Sequence, residues 1–261
     1  MNPKRLVLPG ALLFLLLTVL TAGPAVTTQD QPCPTCGPAG EPEGCTVIMV
    51  GKAASTDGSV MTTHTCDCGE CDWTWRYIPA ADHKPGDTRK IHHISQFGNW
   101  APDQGLKWED IKRTVVMELP EIPHTRAYIH GDFGYMNDAQ VAIGESTVGC
   151  QPKMENPTPA AKFDVTMLTL IAMERAGTAR EAVKIMGELG EKYGYGHTDT
   201  GEMLAVADPN EVWVFEIMPV GPLWTPQSGK PGAVWAAQRV PDDHVSVCPN
   251  ESRIGEIDLK K

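Results

Sequence analysis

The hydrophobic pattern changes character at residue 44. Before it, Leu6 to Leu20 is apolar apart from Pro9, Gly10 and Thr18. Val26 to Gly44 is then a run of Pro, Gly, Thr and acidic residues, with Pro32, Pro34, Pro38 and Pro42. That second composition cannot build a core and reads as a linker or propeptide. From Cys45 the pattern turns β-prone. Cys45-Thr-Val-Ile-Met-Val-Gly51 predicts a strand, Ser55-Thr-Asp-Gly58 supplies turn chemistry, and Ser59 to Thr65 predicts the returning arm of a β-hairpin. Further strands are predicted over 114–119, 140–145, 203–207, 212–217 and 233–238, with Asp208-Pro-Asn-Glu211 as a tight turn between two of them.

Two helices are predicted between these strands. Asp164 is placed to cap the first, which runs to about Ala176. Thr178-Ala-Arg-Glu181 reads as a capping box, with hydroxyl and carboxylate satisfying free amides at the start of the second. Ala182, Met186, Leu189 and Tyr193 then fall on one helical face, and Tyr193-Gly-Tyr-Gly196 ends the helix. Strands, then paired helices, then strands imply an α+β sandwich of sheets covered by helices.

Composition narrows the function classes. The 261 residues are 41% hydrophobic and 21% charged, which fits a folded protein of one large or two small domains. There are 22 basic and 33 acidic side chains and no basic stripe, so nucleic acid and anionic membrane surfaces are not expected partners. Lys4 and Arg5 ahead of the apolar run, with Ala22, Gly23 and Ala25 after it, mark residues 1–25 as a signal peptide. The expected location is secreted or periplasmic, where disulfides are permitted, with no stable membrane span once the signal is removed.

Cys45 is the candidate that carries chemistry. A thiol attacks carbonyl carbon as thiolate, and an ordinary cysteine near pKa ~8.5 is mostly protonated at neutral pH. It needs a base, and an α-amine with a pKa of about 7.7–8.0 can serve. A peptide nitrogen cannot, so this chemistry requires scission between Gly44 and Cys45. Gly44 suits it, having no side chain to obstruct its carbonyl.

The run from Cys45 to Ser59 resembles the opening of mature enzymes of the dipeptidase A and secernin family, which are cysteine hydrolases of the N-terminal-nucleophile class. Four more ordered blocks are similar: Met136-Asn137 through Thr147, Glu174 through Glu181, Ala207 through Glu216, and Trp235 through Asp243 with Pro249-Asn250. The resemblance implies a four-layer αββα sandwich over residues 45–261, with residues 26–44 as propeptide. It implies an autoprocessed cysteine dipeptidase acting on small peptides through a Cys45 thioester, with no cofactor. An acylase acting on bile-acid conjugates or acyl lactams is the alternative enzyme. A non-catalytic secreted module with Cys45 in a disulfide is the alternative outside catalysis.

The roles that follow by resemblance are specific. Cys45 is nucleophile and base, and Asp67 lies close to the new amine. Asn137 and Asn250 donate to the oxyanion. Arg239 either holds a substrate carboxylate or pairs with Asp242 or Asp243. His64 occupies a substrate-binding position where many relatives carry Arg-Asn, and an ordinary imidazole there is mostly neutral at pH 7. Relatives also continue beyond the Asn250 region, so the resemblance implies a domain incomplete at its C-terminus.

Other signals read as structural. Cys66, Cys68 and Cys71, with Cys33 and Cys36, have a zinc-like density, but the last two sit in the expected propeptide. A disulfide or a loop at the substrate edge is preferred, and no metal is expected. Cys150 and Cys248 read as buried or disulfide-bonded. His92, His93, His124 and His130 lack helical metal-pair spacing and read as surface residues. Gly144 to Gly149 is one residue too long for a nucleophile elbow. The glycines from Gly187 to Gly196 fall in or after a helix and form no dinucleotide loop. Trp73, Trp75, Trp100 and Trp108 read as packing residues rather than a cleft lining.

Overall fold

The computed structural model describes residues 44–67, 75–93, 114–149, 157–196 and 200–257. The expected signal peptide, nearly all of the propeptide, Cys33, Cys36, Cys68, Cys71, Cys150, Trp73, Trp100 and Trp108 lie outside the described residues.

The first strand, β1 (Gly44–Val50), has the period-two burial of a half-covered strand: Cys45, Val47 and Met49 are buried and Ile48 is exposed. Its hairpin partner comes in two short pieces, β2 (Met61–Thr62) and β3 (Thr65–Asp67), held in one continuous register. Between them the Thr63 amide still donates to the Ile48 carbonyl at 3.0 Å, and side chains supply the return bonds. The hydroxyls of Thr63 and Thr65 accept from the Ile48 and Thr46 amides at 3.1 and 3.0 Å. On the other side β1 pairs with the last described strand, β15 (Val245–Cys248).

This small sheet covers a larger antiparallel one. In chain order its strands are β4 (Arg76–Ile78), β9 (Tyr128–His130), β10 (Gly134–Asn137), β11 (Ala142–Val148), β12 (Gly201–Ala207), β13 (Val212–Pro219) and β14 (Ala233–Arg239). In space they run β14-β13-β12-β11-β10-β9-β4. Two ribbons complete the strands: β5 (Ala81–Asp82) with β8 (His124–Thr125), and β6 (Thr88–His93) with β7 (Thr114–Pro120). Val47 and Met49 pack between the sheets with Val148, Met203, Ala205 and Val214. β12 is buried at all seven positions because both of its faces are covered.

Helices α1 (Val165–Arg175) and α2 (Ala179–Tyr193) cover the far face of the large sheet. Asp164 accepts from the Met167 amide at 2.7 Å, the expected cap. Thr178 caps α2 as predicted, but Glu181 reaches back to the Gly177 amide, one residue before the box geometry requires. Gly187 has a packing reason. A Cβ there would lie 2.4 Å from the Trp235 indole, so only glycine lets α2 sit this close to β14.

The fold is thus an α+β sandwich, and three layers in the order α, β, β are present among the described residues. The outer face of the small sheet shows Ile48, Met61, Val245 and Val247 to solvent. Among the described residues no helix is long and apolar enough to cross a membrane. Two expectations need correcting here. His130 is buried, because β9 lies inside the large sheet with strands on both sides. Trp75 is 74% exposed instead of packed, and it approaches Tyr135 with ring centroids 6.1 Å apart.

Candidate active site

Register brings the site together. Cys45 is paired directly with Cys66, and His64, two residues earlier, projects to the same inner face of the hairpin. One ligand atom from each of Cys45, His64 and Cys66 lies within 4.8 Å of the others. Cys45 is 8% exposed. Its own N–H donates to Asn250 and its carbonyl accepts from Ser146, so both point away from the hairpin partner. Cys45 and Cys66 therefore form a non-hydrogen-bonded pair, the kind in which facing side chains come closest.

His64 is wedged between the thiol and a buried carboxylate. Its Nε2 lies 3.2 Å from Glu145 Oε2, on β11, and its ring sits 5.4 Å from Phe133 and 6.3 Å from Tyr135 between centroids. Burial opposes a charged imidazole. Its contacts with the Cys45 thiol and the Glu145 carboxylate, with the Glu145 charge, outweigh it, and His64 is pushed up to about 9. The shift favours the charged ring at neutral pH, where an ordinary imidazole is mostly neutral, and its support is the Glu145 carboxylate. Burial likewise opposes ionisation of Glu145, but hydrogen bonds from His64 and Glu202 hold it below the usual carboxylate range. The Cys66 hydrogen bond, then burial, push the Cys45 thiol far up, against the lowering influence of His64. In the uncut chain the resting state is thus a neutral thiol beside an imidazolium–carboxylate pair.

A second set of contacts fixes the Cys45 backbone. Its N–H donates to Asn250 Oδ1 at 2.7 Å, and Ser146 Oγ donates to its carbonyl at 3.2 Å. Ser146 Oγ also accepts the Asn250 amide at 2.9 Å, while Asn250 Nδ2 donates to the Thr147 carbonyl at 2.8 Å. Asn250 adopts φ 56°, a left-handed conformation that asparagine tolerates better than most residues. Oδ1 thus holds the Cys45 nitrogen and one Nδ2 hydrogen goes to a backbone carbonyl, which leaves the second Nδ2 hydrogen for the expected donation to an oxyanion. Gly44 gains a second reason to be glycine, since a Cβ there would lie 2.7 Å from Asn250 Oδ1.

The other expected site residues separate. Asn137 is buried with its side chain fully engaged. Nδ2 donates to the carbonyls of Met173 and Ala176 at 3.0 and 2.8 Å, and Oδ1 accepts the amides of Ala139 and Val141 at 3.1 and 3.0 Å. It ties the end of α1 to the turn before β11 and has no donor left for an oxyanion. Arg239 takes the intrachain alternative, pairing with Glu211 at 3.0 Å and with Asp242. Asp67 is placed by its backbone, opposite Gly44 in the ladder. Cys248 is a buried free thiol that donates to the Glu251 carbonyl.

Glu145 and Ser146 are the contributors that sequence reasoning missed. The sequence places their stretch in a strand and a family-like block without giving either residue a role. The available signal was two polar residues inside a strand otherwise patterned for burial, which need partners.

Comparison with known proteins adds a family. A model described as Peptidase family C69 matches residues 44–261. A dipeptidase of Bifidobacterium longum is 29% identical over 83% of this chain and 39% of its own length. Dipeptidase A of Lactobacillus helveticus is 28% identical over 82% and 42%. A probable dipeptidase A of Streptococcus pyogenes is 26% identical over 82% and 42%. The chain thus spans about two-fifths of the length of these curated relatives. Among solved structures, penicillin V acylase from Agrobacterium tumefaciens aligns over 79% of this chain and 49% of its own. Its sequence identity is 12% and its TM-score 0.30, a likeness too loose to locate any residue.

Proposed function

We propose, since the chain belongs to peptidase family C69, that it is a secreted, autoprocessed cysteine dipeptidase with Cys45 as its N-terminal nucleophile. One observation carries the reading: Asn250 Oδ1 grips the Cys45 nitrogen at 2.7 Å while the His64 cation lies against the Cys45 thiol. Nothing in a structural cysteine needs both. Small peptides are the proposed substrates because similar proteins carry the name dipeptidase. Secretion rests on the charged and apolar pattern of residues 1–25.

Maturation begins with the Cys45 sulfur bonding to the Gly44 carbonyl carbon. The Gly44–Cys45 C–N bond breaks, and the thiol proton ends on the departing nitrogen. Water then hydrolyses the thioester, leaving a Gly44 carboxylate and a Cys45 amine. The new amine replaces an amide already held by Asn250, so its position is set before it exists. In turnover it takes the thiol proton, and the adjacent imidazolium stabilises the thiolate. Sulfur attacks the dipeptide carbonyl, and the ammonium protonates the leaving amine. Water frees the acid from the acyl-enzyme and restores the thiol. Asp67, opposite Gly44, is proposed to balance the charge of the ammonium. Tyr135 and the exposed Trp75 form an aromatic edge leading to His64, suited to substrate side chains.

The test compares full-length wild type with Cys45→Ala by intact mass and dipeptide hydrolysis. Wild type should lose residues 1–44 and turn over dipeptides, whereas Cys45→Ala should stay uncut at Gly44 and inactive. Parental turnover by Cys45→Ala, or a stable active product that keeps Gly44, overturns the reading. Cleavage of non-peptide amides in place of dipeptides would move the enzyme to the acylases.

A further inference from the structure

We propose that Cys45, Cys66 and His64 form a zinc site that reversibly switches the proposed nucleophile off. Zinc favours four nitrogen or sulfur ligands at about 2.0–2.3 Å, so its ligand atoms stand roughly 3.3–3.8 Å apart around a tetrahedron. Two sulfurs and an imidazole nitrogen already lie within 4.8 Å of one another, a separation small side-chain rotations can close, and zinc would displace the thiol and imidazolium protons to solvent on binding. The hairpin fixes this arrangement. Cys45 faces Cys66 in register, and His64 stands two residues away on the same face. Glu145, 3.2 Å from His64 Nε2, supplies the outer carboxylate that commonly orients a metal-binding histidine.

The fourth ligand is the Cys45 α-amine, and here the proposal rests on the maturation reading. Amine and thiolate of one N-terminal cysteine close a five-membered chelate. One zinc ion would then occupy both nucleophile and base. The uncut chain offers only three protein ligands and should bind more weakly. The proposed hydrolysis itself uses no metal. Reading the sequence alone grouped Cys66 with Cys68 and Cys71; the fold groups it with Cys45.

The experiment uses full-length protein, made metal-free and kept reduced with a phosphine, and zinc as the only added metal. Alkylation of each cysteine is followed by mass spectrometry, which needs no variant and no turnover. Zinc should protect Cys45 and Cys66 together, and cobalt(II) in its place should give sulfur-to-metal charge-transfer absorption. Cys66→Ser should weaken binding at least tenfold, since loss of an outer-shell partner alone costs about 10–100-fold. Cys68→Ser should leave binding unchanged. In mature enzyme, zinc should inhibit each form relative to its own metal-free rate, and a chelator should restore it. Zinc protection confined to Cys68 and Cys71, or unchanged alkylation of Cys45 and Cys66 at saturating zinc, overturns the site. A Cys45–Cys66 disulfide that persists under the phosphine does so as well. Because protection is read without turnover, failure of the zinc site is distinguishable from failure of the peptidase reading.

Discussion

Asn137 and Asn250 carry the same side chain into different work. Asn137 satisfies two carbonyls at the end of α1 and two amides of a turn, with both amide hydrogens spent. Asn137→Ala would leave four backbone groups short of a partner, and each one that water cannot reach would cost about 1–3 kcal/mol. The expected result is a fall in urea stability of several kcal/mol, with kcat of the remaining folded enzyme close to parental. A hundredfold loss of kcat in a chain of parental stability would return Asn137 to the oxyanion. His64 gives a pH prediction. The groups around it are Glu145 and the thiols of Cys45 and Cys66, with Glu202 bonded to Glu145. Its affinity for a proton rises on folding from 6.5 to about 9. The associated stability is fully present below about pH 6.5 and is lost as pH rises through about 9. At about 1.4 kcal/mol per pKa unit, the loss is a few kcal/mol. Urea midpoints should therefore fall over that window in wild type and stay flatter in His64→Gln. Parallel curves would show that the imidazole does not gain its proton on folding.

Among the elements, α2 is the one whose position is set by an absent side chain. Gly187 costs helix propensity of about 1 kcal/mol relative to alanine, yet the Trp235 indole occupies the place of its Cβ. Gly187→Ala should gain the propensity and lose more by pushing α2 off β14. Overpacking typically costs about 1–3 kcal/mol, so after the propensity gain we expect a net destabilisation of up to about 2 kcal/mol, seen as a lower Tm. A raised Tm would mean that the helix shifts freely over the sheet. The hairpin of β1, β2 and β3 shows the opposite economy. Its interruption at Thr63 and His64 is bridged by one backbone bond and by threonine hydroxyls, and that break is where the site histidine enters.

At the scale of the whole molecule, the two sheets meet so that strands far apart in sequence each give part of the site: Cys45, His64 and Cys66 from the hairpin, Glu145 and Ser146 from β11, and Asn250 beyond β15. The proposed hydrolysis runs on these groups alone, with no metal-bound water. Dipeptide turnover by full-length enzyme should therefore survive a strong chelator, and traces of inhibitory zinc would make it rise. Loss of turnover in chelator that zinc restores would relocate the chemistry to a metal.

The hydrophobic and polar pattern by itself determined the α+β class, both helices with their caps, and six of the seven described strands of six residues or more, β6 being the exception. Each is a local property, written in periodicity, turn residues and capping chemistry within a dozen positions. Shorter strands such as β9, β10 and β15 were not legible, because two to four residues cannot display a period. Gly44–Cys45 is the bond proposed for scission on chemistry alone, which demands a free amine beside the thiol. The partners were decided by tertiary structure. Whether an asparagine donates to substrate or to backbone depends on which unpaired groups lie within about 3 Å, and at Asn137 those belong to residues 36 and 39 positions later. Whether His64 is a neutral or a charged ring depends on Glu145, 81 positions away in the chain but 3.2 Å away in space. Sequence spacing cannot supply such distances, because burial and charge act through space.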